Sequence, residues 1–148
     1  MVTKSYEVRS EEELVGNLLL VVTTEIFSSD ESALKYLWIA AQEYSNLTSS
    51  EVIEKDYSKK CKNFSFKKSN IGAFRDKLND ILFKVKSYGQ TLEESPAGAL
   101  IYIKELLLKK IDTDADSNLL LLEDDFSTYS VFISSKSCSV IFSWNDVI

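Results

Sequence analysis

The sequence predicts an α+β fold in which about four N-terminal helices are followed by a C-terminal antiparallel β-meander. Apolar residues recur at helical spacing as far as residue 111, and alternating Ser/Thr-rich runs occupy the last third of the chain. The chain has 148 residues, no internal repeat and no linker rich in Gly, Pro or Ser. We therefore expect a single α+β domain over residues 1–148.

The first helix is predicted from a capping box at Ser10-Glu-Glu-Glu13, where a serine and a glutamate three residues later satisfy backbone amides. The apolar residues that follow share one helical face: Leu14, Val15, Leu18, Leu19, Val22 and Ile26. The β-branched run at 21–24 is typical of a strand, so a strand over 18–27 stays open as an alternative.

Three further long helices and one short helix are predicted. One begins at Asp30, with Leu34, Leu37, Trp38, Ala41 and Tyr44 at helical spacing, and a short helix is expected near 51–57. The next follows Asn70 and ends at Gly89, with Ile71, Phe74, Leu78, Ile81, Leu82 and Val85 forming its apolar stripe. The last begins at Ser95-Pro96 and turns Leu100, Ile103, Leu107 and Ile111 toward the core.

Strands are predicted at four places. Residues 62–67 alternate in the manner of an edge strand, and 119–122 form a short apolar run typical of a buried strand. Residues 129–134 and 137–144 alternate and join through Ser134-Ser-Lys-Ser137, which predicts a strand pair with one packed face and one face toward water.

The charge of the chain is unevenly distributed. The total is −6, but residues 1–31 carry −5, residues 32–110 carry +5 and residues 111–148 carry −6. Acidic residues cluster near both ends: Glu11, Glu12, Glu13, Asp112, Asp114, Asp116, Glu123, Asp124 and Asp125. Acids at helix starts and turns also serve solubility, but if the two ends meet they form a negative surface that attracts basic partners.

The chain lacks the residues that several classes of function usually require. The chain has no histidine, which excludes Ser/His/Asp and Cys/His catalysis, and its two cysteines are too few for a four-thiolate zinc site. Its four glycines form no phosphate-binding loop. We therefore expect no cofactor and no enzymatic activity, although catalysis by a carboxylate pair stays open.

The chain shows no secretory signal, and its longest apolar runs are far shorter than the roughly 20 residues that span a bilayer. We expect a soluble protein without membrane contact that is cytoplasmic in a bacterium.

The segment from Asp112 to Glu123 matches part of the calcium-loop spacing of an EF-hand. Oxygen-bearing side chains lie at Asp112, Asp114, Asp116, Asn118 and Glu123. Ser117 stands where the loop needs glycine, and the next segment predicts a strand instead of an exiting helix. An acidic turn without metal explains the segment more simply, so calcium binding is an alternative only.

A lysine-rich run at Lys55, Lys59, Lys60, Lys62, Lys67 and Lys68 is interleaved with aromatic residues. Because the chain has only two arginines, and arginine dominates base and phosphate recognition, we expect no nucleic-acid binding. Lysines that protect an edge strand from self-pairing account for the run.

These observations favour a small acidic binding protein with a basic protein partner. An immunity protein or antitoxin that neutralises a cationic, nuclease-like toxin is the leading hypothesis, because a nuclease groove is positive. The acids named above are the expected contact residues. A secretion chaperone for an exported protein is the first alternative, and the calcium-binding module is the second.

Overall fold

The computed structural model describes residues 2–10, 13–46, 50–87, 96–109 and 117–146. The strands are β1 (Val2–Ser10), β2 (Glu13–Thr23), β3 (Lys67–Lys68), β4 (Asn118–Asp124), β5 (Thr128–Ser134) and β6 (Ser139–Asp146). The helices are α1 (Asp30–Asn46), α2 (Ser50–Cys61), α3 (Ile71–Ser87) and α4 (Pro96–Tyr102), which continues as a π-helical segment over Ile103–Leu107. Every helix in those ranges is too short or too polar to cross a membrane.

All six strands belong to one antiparallel sheet in the order β1-β2-β6-β5-β4-β3. The α+β class is therefore confirmed. The predicted order of elements is wrong, because the helices lie between β2 and β4 and do not precede all the strands. The N-terminal strand β2 pairs with the C-terminal strand β6 along its length, with Leu18 opposite Trp144. The two ends of the chain thus meet in the middle of the sheet.

The N-terminal segment is a β-hairpin and not the predicted helix. Ser10 and Glu13, the two ends of the predicted capping box, are instead paired residues where β1 meets β2. β2 is apolar on both faces, with Leu18 and Leu20 on one and Leu19 and Val21 on the other. A segment that is apolar on both faces lacks the periodic spacing of apolar residues that distinguishes a helix from a strand. Here the pairing with β6 makes the segment a strand. The alternative prediction, a strand over 18–27, is correct in type, although the observed strand spans Glu13–Thr23.

Helices cover both faces of the sheet. α3 and α4 pack on one face and form the first core with Leu18, Val131, Phe142 and Trp144. α1 and α2 pack on the other face and form the second core with Val21, Phe132 and Ile141. The protein is thus built of three layers, helix on sheet on helix.

The other predicted helices are confirmed within the described residues. α1 begins at Asp30 and buries Leu34, Leu37 and Ala41, while α3 buries the predicted stripe from Phe74 to Val85. α4 begins at Pro96, with Leu100 and Ile103 buried as expected. Gly89, Ser95 and Ile111 lie outside the described residues, as do the side chains of Tyr44 and Leu107.

The C-terminal meander forms as predicted, with one correction. The second face of β5 and β6 was expected to face water, but Phe132 and Ile141 on it are buried in the second core. The serines of that face lie further along the strands, where Ser130 is opposite Ser143. The predicted edge strand at 62–67 is reduced to β3, because Phe66 adopts a positive φ of 50° that interrupts the extended chain. The flanking Ser65 and Ser69 still donate backbone hydrogen bonds to β4.

Candidate functional site

Acidic residues converge on one end of the sheet. β4 ends there, β5 begins there, β6 ends there at Asp146, and β2 begins there at Glu13. Neighbouring strands are about 4.8 Å apart, so β2 and β4 lie roughly 15 Å apart across the sheet. Glu13 lies five residues, roughly 17 Å, further along β2 than Leu18, which shares a row with Asp124. We call this end of the sheet the acidic end. Acids from the two ends of the chain lie at this end.

Three of the nine predicted contact acids are fully described at the acidic end. These are Glu123, Asp124 and Asp125. Glu13 is placed there by its backbone alone. Glu11, Glu12, Asp112, Asp114 and Asp116 lie outside the described residues. Asp146 belongs to the same end and was missed, because a single acid near the end of an apolar strand carries no pattern in the sequence.

The connection between β4 and β5, residues Asp124–Thr128, is held rigid by one carboxylate. We call it the acidic turn. Asp125 Oδ1 accepts hydrogen bonds from the backbone amides of Ser127 and Thr128, both at 2.9 Å, and from the Ser127 hydroxyl at 3.3 Å. These backbone hydrogen bonds favour the charged form and lower the pKa of Asp125. The turn is therefore a fixed structure that carries a negative charge.

Phe126 stands at the tip of the acidic turn with 98% of its surface exposed. Fully burying such a side chain is worth about 1.5–3 kcal/mol, which the isolated protein does not gain. Aromatic residues, phenylalanine included, are enriched in protein interfaces, and a few large side chains buried at the centre of an interface carry most of its binding energy. The sequence analysis missed Phe126, although a phenylalanine directly after three acids inside a predicted turn was the available signal.

Two lysines neutralise part of the acidic end. Lys60 Nζ in α2 lies 2.9 Å from Glu123 Oε1, and Lys84 in α3 pairs with Asp146. Asp124 and Asp125 lie on the turn itself and are exposed. Negative charge is thus concentrated around Phe126, while the acids nearer the helices are paired within the protein.

A cleft of about 490 Å³ opens beside the acidic turn, on the sheet face that carries α1 and α2. We call it the sheet cleft. Its floor is formed by facing pairs of residues on β5 and β6 together with Leu19 of β2, and its walls include Trp38, Phe64 and Gln42. Ser130 and Ser143 share a hydrogen bond of 2.9 Å between their hydroxyls. Thr128 Oγ1 donates to Asn145 Oδ1 at 3.0 Å in the next pair toward the acidic end.

The residues of the calcium alternative that the structure describes do not converge. Asn118 and Glu123 lie near opposite ends of β4, about 15 Å apart along an extended strand. The Asn118 amide donates to Asp30 Oδ2, whereas Glu123 pairs with Lys60. Ligands of one calcium ion must all approach it within about 2.6 Å, so this separation argues against an EF-hand site. Among the described residues, no group of three His, Cys, Asp or Glu is placed to hold a metal ion.

The two cysteines lie on opposite faces of the sheet and are free thiols. Cys138 is buried in the first core and Cys61 packs against the second. Cys61 lines a cavity of about 280 Å³ with Leu34, Phe66 and Phe132. Nearby, burial and the neighbouring Cys61 raise the pKa of Tyr57 well above its usual range.

The lysine-rich run does not form a continuous strip. Lys60 is committed to Glu123, while Lys67 and Lys68 constitute the edge strand β3. Phe64, one of the interleaved aromatics, is buried in the second core.

Comparison of the chain with protein-family models, with curated proteins and with solved structures finds no match.

Proposed function

We propose that this chain is a non-enzymatic binding protein that captures a basic protein partner at its acidic turn. The type of partner that best suits this surface is a cationic, nuclease-like toxin, which the chain would neutralise as an immunity protein or antitoxin does. The observation that carries the proposal is the exposed Phe126, which directly follows Asp124 and Asp125 on a turn held by hydrogen bonds to the Asp125 carboxylate.

The turn combines two properties of strong protein interfaces. Negative charge at Asp124 and Asp125 accelerates encounter with a positive surface, and this effect weakens as salt is added. Phe126 supplies an apolar anchor that gains free energy only when a partner covers it. Because Asp125 already fixes the turn, little conformational entropy is lost on binding.

The same surface supports the expectation that nucleic acid is not the partner. The acidic end repels phosphates, and its described lysines, Lys60 and Lys84, are paired with Glu123 and Asp146.

The test begins with capture of the partner from the native host on the immobilised chain, followed by its identification and purification. Binding of the purified partner is then measured by surface plasmon resonance with two variants. Phe126→Ala is expected to weaken binding by about thirtyfold, the loss that corresponds to a hot-spot residue of about 2 kcal/mol. Asp124→Lys is expected to slow association and to flatten its dependence on salt.

Matched controls come from α3, which packs on the first-core face of the sheet. Phe83 is also an exposed phenylalanine, and Asp80 is also an exposed acid. Phe83→Ala and Asp80→Lys should leave the affinity unchanged. Asp125 is left intact because its carboxylate holds the turn. If the α3 variants weaken binding as much as the turn variants do, or if the captured partner is acidic, the proposal is wrong.

A further inference from the structure

The sheet cleft has a floor of hydrogen-bonding side chains in regular rows. Directly opposite residues on neighbouring antiparallel strands point to the same face, and the rows repeat every second residue, about 7 Å apart. One row crosses the sheet through Asn17, Asn145 and Thr128. The next crosses through Leu19, Ser143, Ser130 and Glu123. The third row, with Val21, Ile141 and Phe132, is already buried under the helices. The cleft therefore begins where the helix layer stops covering the sheet.

The floor presents both donors and acceptors. Ser130 is buried and shares a hydrogen bond with Ser143, and each hydroxyl has one donor and two acceptor positions, so the pair has capacity left for a ligand. Asn145 accepts from Thr128 through its carbonyl oxygen and presents an amide group with two donors.

One wall of the cleft is aromatic. Trp38 is half-buried, lines the cleft, and is fixed from behind by Tyr57, whose ring centroid lies 5.5 Å away. Leu19 adds an apolar surface at the floor. Phe64 also lines the cleft, so the cleft offers two aromatic side chains beside its polar floor.

The cleft is close to electrically neutral. Its charged residues are Lys60 and Glu123, which neutralise each other at 2.9 Å. The only lysine in the lining is therefore already committed and also stabilises the charge of the nearby Asp125. A phosphate or a carboxylate would find no uncommitted cation in this lining and would meet the negative acidic turn.

From this geometry we propose that the sheet cleft binds a neutral sugar ring. A pyranose has an apolar face of C–H groups, which suits an aromatic side chain such as Trp38, and a rim of hydroxyls that both donate and accept, which suits serine, amide and carboxylate groups. The volume of about 490 Å³ lies in the usual range for small-molecule sites and holds a ligand of one or two rings.

The inference is tested by two-dimensional ¹H–¹⁵N NMR of the full chain, because the two indole signals report separately. Trp38 lines the cleft, whereas Trp144 is buried in the first core on the other face and is an internal control. The probes are methyl β-glucoside, methyl β-galactoside, methyl α-mannoside, N-acetylglucosamine and maltose. We expect at least one probe to shift the Trp38 indole signal saturably, with a Kd of roughly 1 mM or tighter. The Trp144 signal should stay in place.

Variants then locate the site by calorimetric titration with the best probe. Asn145→Ala and Ser143→Ala should each weaken binding by about tenfold, the usual consequence of losing one or two hydrogen bonds to a ligand. Asn79→Ala, an exposed asparagine on α3, should have no effect. Phe126→Ala should also leave sugar affinity unchanged, which separates this inference from the proposed function.

The inference is overturned if no neutral sugar gives a saturable shift up to roughly 100 mM, far above the expected Kd. It is also overturned if glucuronate, glucose 6-phosphate or uridine binds as tightly as the best neutral sugar. Equal shifts of both indole signals would show that the effect does not arise in the cleft.

Discussion

Replacing Gly16 by alanine is expected to destabilise the protein by about 1–3 kcal/mol, the usual cost of forcing an extra methyl group into a packed core. Gly16 lies in β2 opposite Asp146 of β6, and the indole of Trp144 passes over it. A Cβ atom at this position would lie 2.6 Å from Cη2 and Cζ2 of Trp144 and 2.8 Å from the Asn145 carbonyl oxygen.

The clash cannot be relieved cheaply. A separation of 2.6 Å is 0.8 Å shorter than the 3.4 Å at which ordinary contact begins. Trp144 is only 3% exposed and packs among Leu18 and Phe142, so its ring has no room to withdraw. The carbonyl of Asn145 belongs to the backbone of β6, and moving it would disturb the pairing of β2 with β6.

Thermal unfolding followed by circular dichroism measures the effect. For a chain of this length, about 1–3 kcal/mol corresponds to a fall in Tm of roughly 3–10 °C. Gly72→Ala is the matched control, because the new Cβ at the start of α3 meets only Asn70 Oδ1, at 3.2 Å. Its effect should stay below about 1 kcal/mol in either direction. If Gly16→Ala left Tm unchanged or raised it, the close packing of Trp144 on β2 would be refuted.

Three other expectations concern stability. Because Asp125 has a lowered pKa in the folded protein, its contribution is present above its unfolded pKa and is lost as the pH falls through the folded value. Asp125→Asn should therefore make unfolding less sensitive to pH on the acid side, as acid titrations of both proteins in fixed urea would show. Burial raises the pKa of Tyr129 to about 12, with a further contribution from Asp124, so stability should fall as the pH rises above the usual tyrosine value toward 12. Tyr129→Phe should reduce that alkaline loss, while the raised pKa of Tyr57 leaves part of it in place, and an unchanged alkaline profile would contradict the assignment. Leu37→Ala should cost about 2–5 kcal/mol in urea unfolding, because Leu37 is fully buried between α1 and the sheet, and a loss below about 1 kcal/mol would argue against that packing.

Local sequence signals were sufficient where an element has one buried face. The apolar stripe of α3 and the start of α4 at Pro96 show a clear period and a specific boundary residue. These elements form where the sequence predicts them. The spacing of apolar residues follows from the local geometry of a helix or a strand, which is the same whichever element packs against it.

The same signals failed for β2. Its residues are apolar on both faces because helices cover both sides of the sheet, and the strand with which it pairs, β6, lies more than 100 positions away in the chain. The capping-box pattern at Ser10 then favoured a helix, although tertiary pairing determined a hairpin.

The same distinction applies to the candidate site, because the sequence showed some of its features and the fold determined the others. The sequence shows that negative charge is concentrated toward both ends of the chain, and folding cannot change this distribution along the sequence. It did not reveal that the acids of 123–125 and Asp146 share one end of the sheet, because strand order determines that arrangement. Nor did it identify Phe126 as exposed or the serine rows as a cleft floor, because exposure depends on where the helix layer stops. The sequence by itself thus determined the charge and most of the helices and strands. Only the tertiary structure decided which of these residues meet, since long-range strand pairing and burial arise between segments that are far apart in the chain.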